Sequence, residues 1–173
     1  DAGAPGIVVP QVSSVEEVQG VIDDCRYPPV GRRGFGPLVA SDYGRMGEEY
    51  VERANRSVFV SVMIECVEAV EFIDEIVALP GLDSVVLGPY DLSGSLGVLG
   101  QIHHPDVVAA MERVIAAAQA QNLPVGSGMP IDPEFAVLQA SRGVQWLQMG
   151  ADIGYMMSAV NDAIASVRQR LRR

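Results

Sequence analysis

The chain has 173 residues, of which 49% are hydrophobic and 20% charged, and its formal net charge is −10. These are globular proportions, and the acidity excludes a nucleic-acid footprint, which needs clustered Lys and Arg. No apolar run approaches the roughly 18 residues of a membrane span, and Cys25 and Cys66 form neither a CxxC pair nor a disulfide framework, so a reduced, cytoplasmic setting without membrane contact is expected.

In chain order, Asp1-Ala2-Gly3-Ala4-Pro5-Gly6 reads as a helix tail and the loop into a strand, so the start looks like a cut through a fold. A strand is expected over Gly6–Pro10. The helix that follows, Ser14–Cys25, opens on Ser13 or Ser14 as cap, with Glu16 or Glu17 completing a capping box. Residues Arg26–Ala40 fit neither pattern: Pro28 and Pro29 hold the backbone extended, Gly31, Gly34 and Gly36 permit positive φ, and Arg32 and Arg33 add fixed cations. That stretch is expected to be an irregular loop packed on a subunit neighbour, away from the strand tips. Further strands are expected at Val58–Glu65, Ser84–Gly88, Leu123–Gly126 and Val144–Gly150, rich in Val, Ile and Leu and bounded by Gly or Pro. Helices fill the gaps at Glu68–Leu79, Pro105–Gln121, Pro133–Arg142 and Met156–Leu171.

Strict alternation of strand and helix calls for parallel strands joined by right-handed crossovers. Five such units make either an open doubly wound sheet or part of a closed barrel. Three further units of roughly 30 residues would bring the chain to about 260, close to the 250 or so of a complete (β/α)8 barrel. The expected fold is therefore α/β: one partial TIM-barrel domain, residues 1–173, supplying the last five of eight units.

Two of the strand-like runs stop at an acid: Val58–Ile64 at Glu65, and Ser84–Gly88 at Asp91 after Pro89-Tyr90. Catalytic groups of barrel enzymes sit at the C-terminal ends of different strands, which makes Glu65 and Asp91 a candidate metal site. The competing reading makes Glu65 the cap of a following turn and Asp91 an N-cap. Gly126-Ser127-Gly128 at the end of the fourth strand can bring backbone N–H groups to an anion. Ser93 and Ser95 fit local hydrogen bonding, His103 and His104 solvated loop positions, Asp152 a cap of the last helix, and Trp146 with Met149, Met156 and Met157 packing.

The segments Val8-Val9-Pro10, Arg26-Tyr27-Pro28-Pro29, Gly31-Arg32-Arg33-Gly34, Ile64-Glu65 and Gly88-Pro89-Tyr90-Asp91-Leu92-Ser93 with Ser95-Leu96-Gly97, together with the opening Asp1-Ala2-Gly3-Ala4, resemble the HpcH/HpaI metal-dependent pyruvate aldolases over nearly the whole chain. The resemblance implies a (β/α)8 barrel, a homo-oligomer that is usually a hexamer, and one divalent cation (Mg2+, Mn2+ or Co2+) on Glu65 and Asp91. It implies cleavage of a 4-hydroxy-2-oxoacid to pyruvate and an aldehyde, with Tyr90 at the oxoacid; Ser127 and Gly128 of the strand-end segment are expected to join it there through their backbone. Such a cation would chelate the oxoacid carboxylate and keto oxygens and act as a Lewis acid. Two departures stand out: Met63 occupies a position where the family commonly has Gln, and the family's catalytic His and substrate-binding Arg fall upstream of Asp1. Two alternatives accompany this reading. One is an incomplete remnant acting as a metal-binding, ligand-binding or assembly partner; the other is a citrate-lyase-β-like enzyme acting on CoA thioesters.

Overall fold

The structure, a computed structural model, describes residues 2–171; Asp1, at the head of the family-like opening segment, lies outside them. Five strands form one sheet: β1 (Gly6–Val9), β2 (Phe59–Ile64), β3 (Ser84–Leu87), β4 (Val125–Met129) and β5 (Trp146–Met149). The helices are α1 (Val15–Cys25), α2 (Glu49–Ser57), α3 (Val67–Glu71), α4 (Ile73–Val77), α5 (Pro89–Ser95), α6 (Pro105–Ala120), α7 (Pro133–Ser141) and α8 (Asp152–Leu171).

Strand order is β1-β2-β3-β4-β5, with every neighbouring pair parallel. A right-handed crossover between sequential neighbours puts its helix on one side of the sheet. Because the order never reverses, the helices collect on the same side. A doubly wound sheet reverses its order and carries helices on both faces. Chain length favours the barrel over the doubly wound sheet, and the observed order agrees, giving a five-stranded arc of barrel wall.

Alternation along each strand sorts the residues. Val60, Val62 and Ile64 of β2, Val85 and Leu87 of β3, and Val125 of β4 point outward into a core with Val18 and Ile22 of α1, Ile73 and Ile76 of α4, Leu92 of α5, and Met111, Val114 and Ala118 of α6. Each such side chain, fully buried, contributes about 1.5–3 kcal/mol. The opposite parity, Ser61, Met63, Ser84, Val86, Gly126, Gly128, Trp146 and Gln148, forms the inner face. There the Ser61 hydroxyl donates to the Ser84 carbonyl at 2.9 Å, and the Trp146 indole N–H donates to the Ser84 hydroxyl at 2.9 Å. A Cβ on Gly126 would overlap the Trp146 ring, so glycine there makes room for the indole.

Several boundaries differ from expectation. Helix α2 was not anticipated, because it is short and strongly polar, with Tyr50 its only buried residue. The single helix expected over Glu68–Leu79 is two, separated at Phe72, whose backbone leaves the α region at φ −91°, ψ 13°. Strand β4 starts later and runs on to Met129, three residues past its expected end. Helix α8 begins at Asp152 rather than Met156, buries none of its residues, and exposes Ile153, Met156, Met157, Val160, Ile164 and Val167. No helix among the described residues is long and apolar enough to cross a membrane.

The loop after α1 is anchored at the N-terminal ends of the strands. The Tyr27 backbone N–H donates to the Asn55 side-chain oxygen at 2.7 Å, and the Asn55 amide returns a bond to the Tyr27 carbonyl at 3.0 Å. Buried Arg26 donates to the Gly81 carbonyl at 3.0 Å and pairs with Asp83, which also accepts the Val60 N–H at the start of β2. Burial pushes the Tyr27 phenol up to about 12, and the Arg33 guanidinium lies 4.4 Å from the centre of its ring. The loop thus stands at the end of the sheet opposite Glu65 and Asp91, as its sequence position suggested.

Candidate active site

At the C-terminal ends of β1, β2 and β3, Gln11, Ser13, Glu65, Cys66, Glu68 and Asp91 line a cleft of about 360 Å3. Glu65 directly follows β2 and is buried, while Asp91 lies in the first turn of α5 and is exposed. The Glu65 carboxylate is held from two sides. Its Oε1 accepts the Gln11 backbone N–H at 2.6 Å, and its Oε2 leans over Gly88, within 2.7 Å of where a Cβ on that glycine would stand. One oxygen is therefore anchored by the protein, and the other is turned toward the β3 end of the cleft.

Burial raises the Glu65 carboxyl above its ordinary value; the Gln11 N–H works against this, and the negative charge of Asp91 adds to it. A buried carboxylate beside a second acid in one cleft is a chemically reasonable place for a cation to neutralise. Gln11 completes the arrangement at a conformational cost. Its φ of 56° is a left-handed backbone for a non-glycine residue, a strain of order 1–3 kcal/mol that persists only where the surroundings impose it. Sequence reasoning passed over Gln11; the available signal was its place directly after an apolar strand and Pro10.

The competing cap assignments are not what the structure shows. Helix α3 has Cys66 as its N-cap and no side-chain cap bond, so Glu65 caps nothing. In α5 the N-cap is Gly88 and Pro89 opens the helix, which leaves Asp91 inside the first turn, where a carboxylate is favoured by the helix dipole. Ser93 is buried; its hydroxyl donates to the Tyr90 carbonyl at 2.6 Å and accepts the Gly100 N–H at 2.8 Å. Ser93 is thus held locally, as expected, whereas Ser95 accepts the Val67 N–H at 3.0 Å and ties α5 to the start of α3, which is not a local bond.

The segment Gly126-Ser127-Gly128 needs correction. It is not the loop end of a strand: these residues pair in register with Trp146, Leu147 and Gln148 of β5, and a ladder commits its N–H groups to the neighbouring strand instead of an anion. Ser127 shares the parity of Val125, so it points to the helix layer, fully buried, with its hydroxyl 3.4 Å from the Gly128 carbonyl. Its side chain does not face the inner side of the barrel wall. Gly128 is on the inner face, and a Cβ there would stand 3.6 Å from the Met63 methyl. Tyr90 is half exposed and stands next to Asp91 in the first turn of α5. His104 caps α6 by accepting the Asp106 N–H at Nδ1, 3.3 Å away, and His103 stacks edgewise on Phe135. Asp152 accepts the Ile153 N–H at the start of α8. A larger apolar hollow of about 650 Å3, lined by Phe35, Leu38, Tyr43 and Tyr50 among others, shares no residue with the carboxylate cleft.

With this geometry in hand, the likeness to known proteins is specific. Residues 1–159 match the family described as HpcH/HpaI aldolase/citrate lyase. The chain belongs to that family. It is 33% identical to 2-dehydro-3,6-dideoxy-6-sulfogluconate aldolase of Pseudomonas putida, over 98% of this chain and 66% of that protein. It is 34% identical to hydroxypyruvate/pyruvate aldolase of Paraburkholderia phytofirmans, over 97% and 66%. The crystal structure of an HpcH/HpaI aldolase from Desulfitobacterium hafniense DCB-2 superimposes with a TM-score of 0.88 at 34% identity, covering 96% of this chain and 64% of that one. The chain thus spans about two thirds of the length of these family members.

The donor chemistry bears on a metal in this HpcH/HpaI chain. Among the described residues no group of three or more His, Cys, Asp and Glu is arranged to hold an ion. The candidate donors are the carboxylates of Glu65 and Asp91. Hard oxygen donors in that number suit Mg2+ or Mn2+, which keep several waters, and do not suit the closed sites of Zn2+.

Proposed function

We propose that this protein is a divalent-metal-dependent aldolase that cleaves a 4-hydroxy-2-oxoacid to pyruvate and an aldehyde and runs the reverse addition. One observation carries the reading: Glu65 and Asp91 meet in a single cleft at the ends of adjacent strands, with Glu65 Oε1 fixed by the Gln11 N–H and Oε2 left for a ligand. The aldolase names of the relatives support the reaction class.

Glu65 and Asp91 would hold Mg2+, Mn2+ or Co2+, and the bound cation would supply Lewis-acid polarisation of the 2-oxoacid. The chain's own contributions are positional. The Gln11 N–H keeps the Glu65 carboxylate in one orientation, so no reorganisation is needed when the oxoacid arrives. Gly88 leaves the space the carboxylate occupies, Met63 presents a methyl group instead of a hydrogen-bonding amide, and Tyr90 walls the mouth. Gly128 meets the oxoacid through its open inner face. In a lactate dehydrogenase-coupled assay of 4-hydroxy-2-oxoacids, pyruvate should form with Mn2+, cease with EDTA and return on Mn2+ addition. EDTA-insensitive cleavage would sink the proposal.

Assembly belongs to the same proposal. The exposed apolar residues of α8 form a surface that proteins normally cover, which supports a homo-oligomer. Light scattering should give a mass well above the 18.4 kDa of one chain; a stable, non-aggregating monomer would contradict it.

A further inference from the structure

The top row of the inner face is unusual in having side chains only at its ends. Register pairs Ile64 with Leu87, Leu87 with Ser127, and Gly128 with Gln148. One step further along the strands, the row reads Glu65, Gly88, Gly128, Gln148. The two glycines between the polar ends are not equivalent. A Cβ on Gly88 would meet the Glu65 carboxylate at 2.7 Å, so that position is already filled. At Gly128 the nearest atoms are the Met63 methyl at 3.6 Å and Gln148 Oε1 at 3.9 Å. That notch is open, with a methyl group on one side and an amide on the other.

The other polar groups of the inner face have partners: Ser61 with the Ser84 carbonyl, Ser84 with Pro124 and Trp146, and Glu65 with Gln11. The Gln148 amide has none among the described residues. Glu65 leans over β3 and Gln148 lies beside the β4 notch. With strands about 4.8 Å apart, their polar tips face each other across roughly 5–10 Å. A 2-oxoacid held at the Glu65 end by its carboxylate and keto oxygens would therefore direct its remaining carbons toward Gln148.

We propose that Gln148 is a specificity-determining residue: its amide hydrogen-bonds a hydroxyl on the aldehyde-derived half of the substrate, and the Gly128 notch accommodates that half. This rests on the aldolase reading of the site. An amide offers one acceptor and two donors, and a hydroxyl answers both kinds. A carboxylate tail fits less well, since Glu65, Glu68 and Asp91 already make the cleft acidic.

The test uses the Mn2+-loaded protein and calorimetry with three ligands: pyruvate, 2-oxopentanoate and 5-hydroxy-2-oxopentanoate. The last has no C4 hydroxyl and cannot undergo retro-aldol cleavage, so affinity is read without turnover. The wild type should prefer the hydroxylated tail over the apolar one about tenfold, the scale of one hydrogen bond. In Gln148→Leu and Gln148→Ala that ratio should fall to about one while pyruvate affinity is retained. Because Gln148 is exposed and its amide has no bond within the chain among the described residues, both variants should melt with the wild type. A wild type without tail preference, or a preference that survives in both variants, overturns the role of Gln148. Wild-type protein that binds Mn2+ but not pyruvate overturns the aldolase reading, and this inference with it.

Discussion

Glu65→Gln should abolish Mn2+ binding, lower pyruvate-forming turnover at least about a thousandfold, and at the same time raise the melting midpoint of the metal-free protein at neutral pH. The thousandfold scale follows from losing several kcal/mol of Lewis-acid stabilisation, since each 1.36 kcal/mol is a factor of ten. The stability gain follows from the carboxyl's surroundings. Burial, reinforced by Asp91 and opposed by the Gln11 N–H, raises the Glu65 proton affinity above its ordinary value of 4.5. The folded state then binds this proton more tightly than the unfolded state does. Stability falls as pH rises from the ordinary glutamate range through the raised folded value, and it stays lower at neutral pH.

Glutamine does not titrate, yet its side-chain oxygen can still accept the Gln11 N–H. The melting advantage of Glu65→Gln should therefore be full at pH 7 and fade below the ordinary glutamate range, where the wild-type carboxyl is protonated in both states. Saturating Mn2+ should reverse the order, because ligand binding stabilises only the protein that retains the site. Metal-free melting curves in which the wild type is the more stable protein at pH 7 would show that the carboxylate is a structural anchor and not a ligand held at a cost to stability. A parallel Asp91→Asn variant should also lose Mn2+ affinity. With one negative charge gone from the cleft, the raised proton affinity of Glu65 should also relax.

The residues that were legible in the sequence are those whose type alone limits what they can do. Apolar runs ending at Glu65 and Asp91 marked strand tips, and the Pro and Gly punctuation placed all five strands to within a few residues. Local pattern is the same whether crossovers put helices on one face or two, so only chain length and the family resemblance pointed to the barrel. It took the monotonic pairing of β1 to β5 to exclude the doubly wound sheet. Ser127 was misplaced for a related reason. Gly126-Ser127-Gly128 looks like a loop because glycine is poor in strands, yet both glycines serve the inner face, Gly126 by admitting the Trp146 indole and Gly128 by leaving a notch. Gln11 was invisible because its contribution is a backbone N–H, which any residue but proline carries. Helix α2 escaped because its apolar face is narrow, Tyr50, Val51 and Ala54 in a nine-residue, strongly polar segment.

Gly88→Ala should cost about 10- to 100-fold in Mn2+ affinity although it touches no ligand atom covalently, whereas Gly128→Ala should leave Mn2+ affinity in place. Gly88 has φ −107° and ψ 77°, a negative φ that does not call for glycine, so conformational freedom is not the reason for glycine here. Space is the reason. An alanine methyl would stand 2.7 Å from both Cβ and Oε2 of Glu65. The oxygen could swing away, but the Cβ is fixed to the end of β2, so backbone or carboxylate must move. Either movement breaks the alignment set by the 2.6 Å bond from Gln11, and misplacing the group that orients a ligand costs metal affinity on that scale. At Gly128 the same methyl would meet the Met63 methyl at 3.6 Å, an ordinary contact. It would close the notch without disturbing Glu65. Titrating Mn2+ into the two variants by its effect on water proton relaxation separates them, with circular dichroism to establish that both fold. Equal and wild-type-like Mn2+ affinity in the two would mean that the ion does not depend on the Glu65 carboxylate lying over Gly88, and the metal site would have to be built elsewhere.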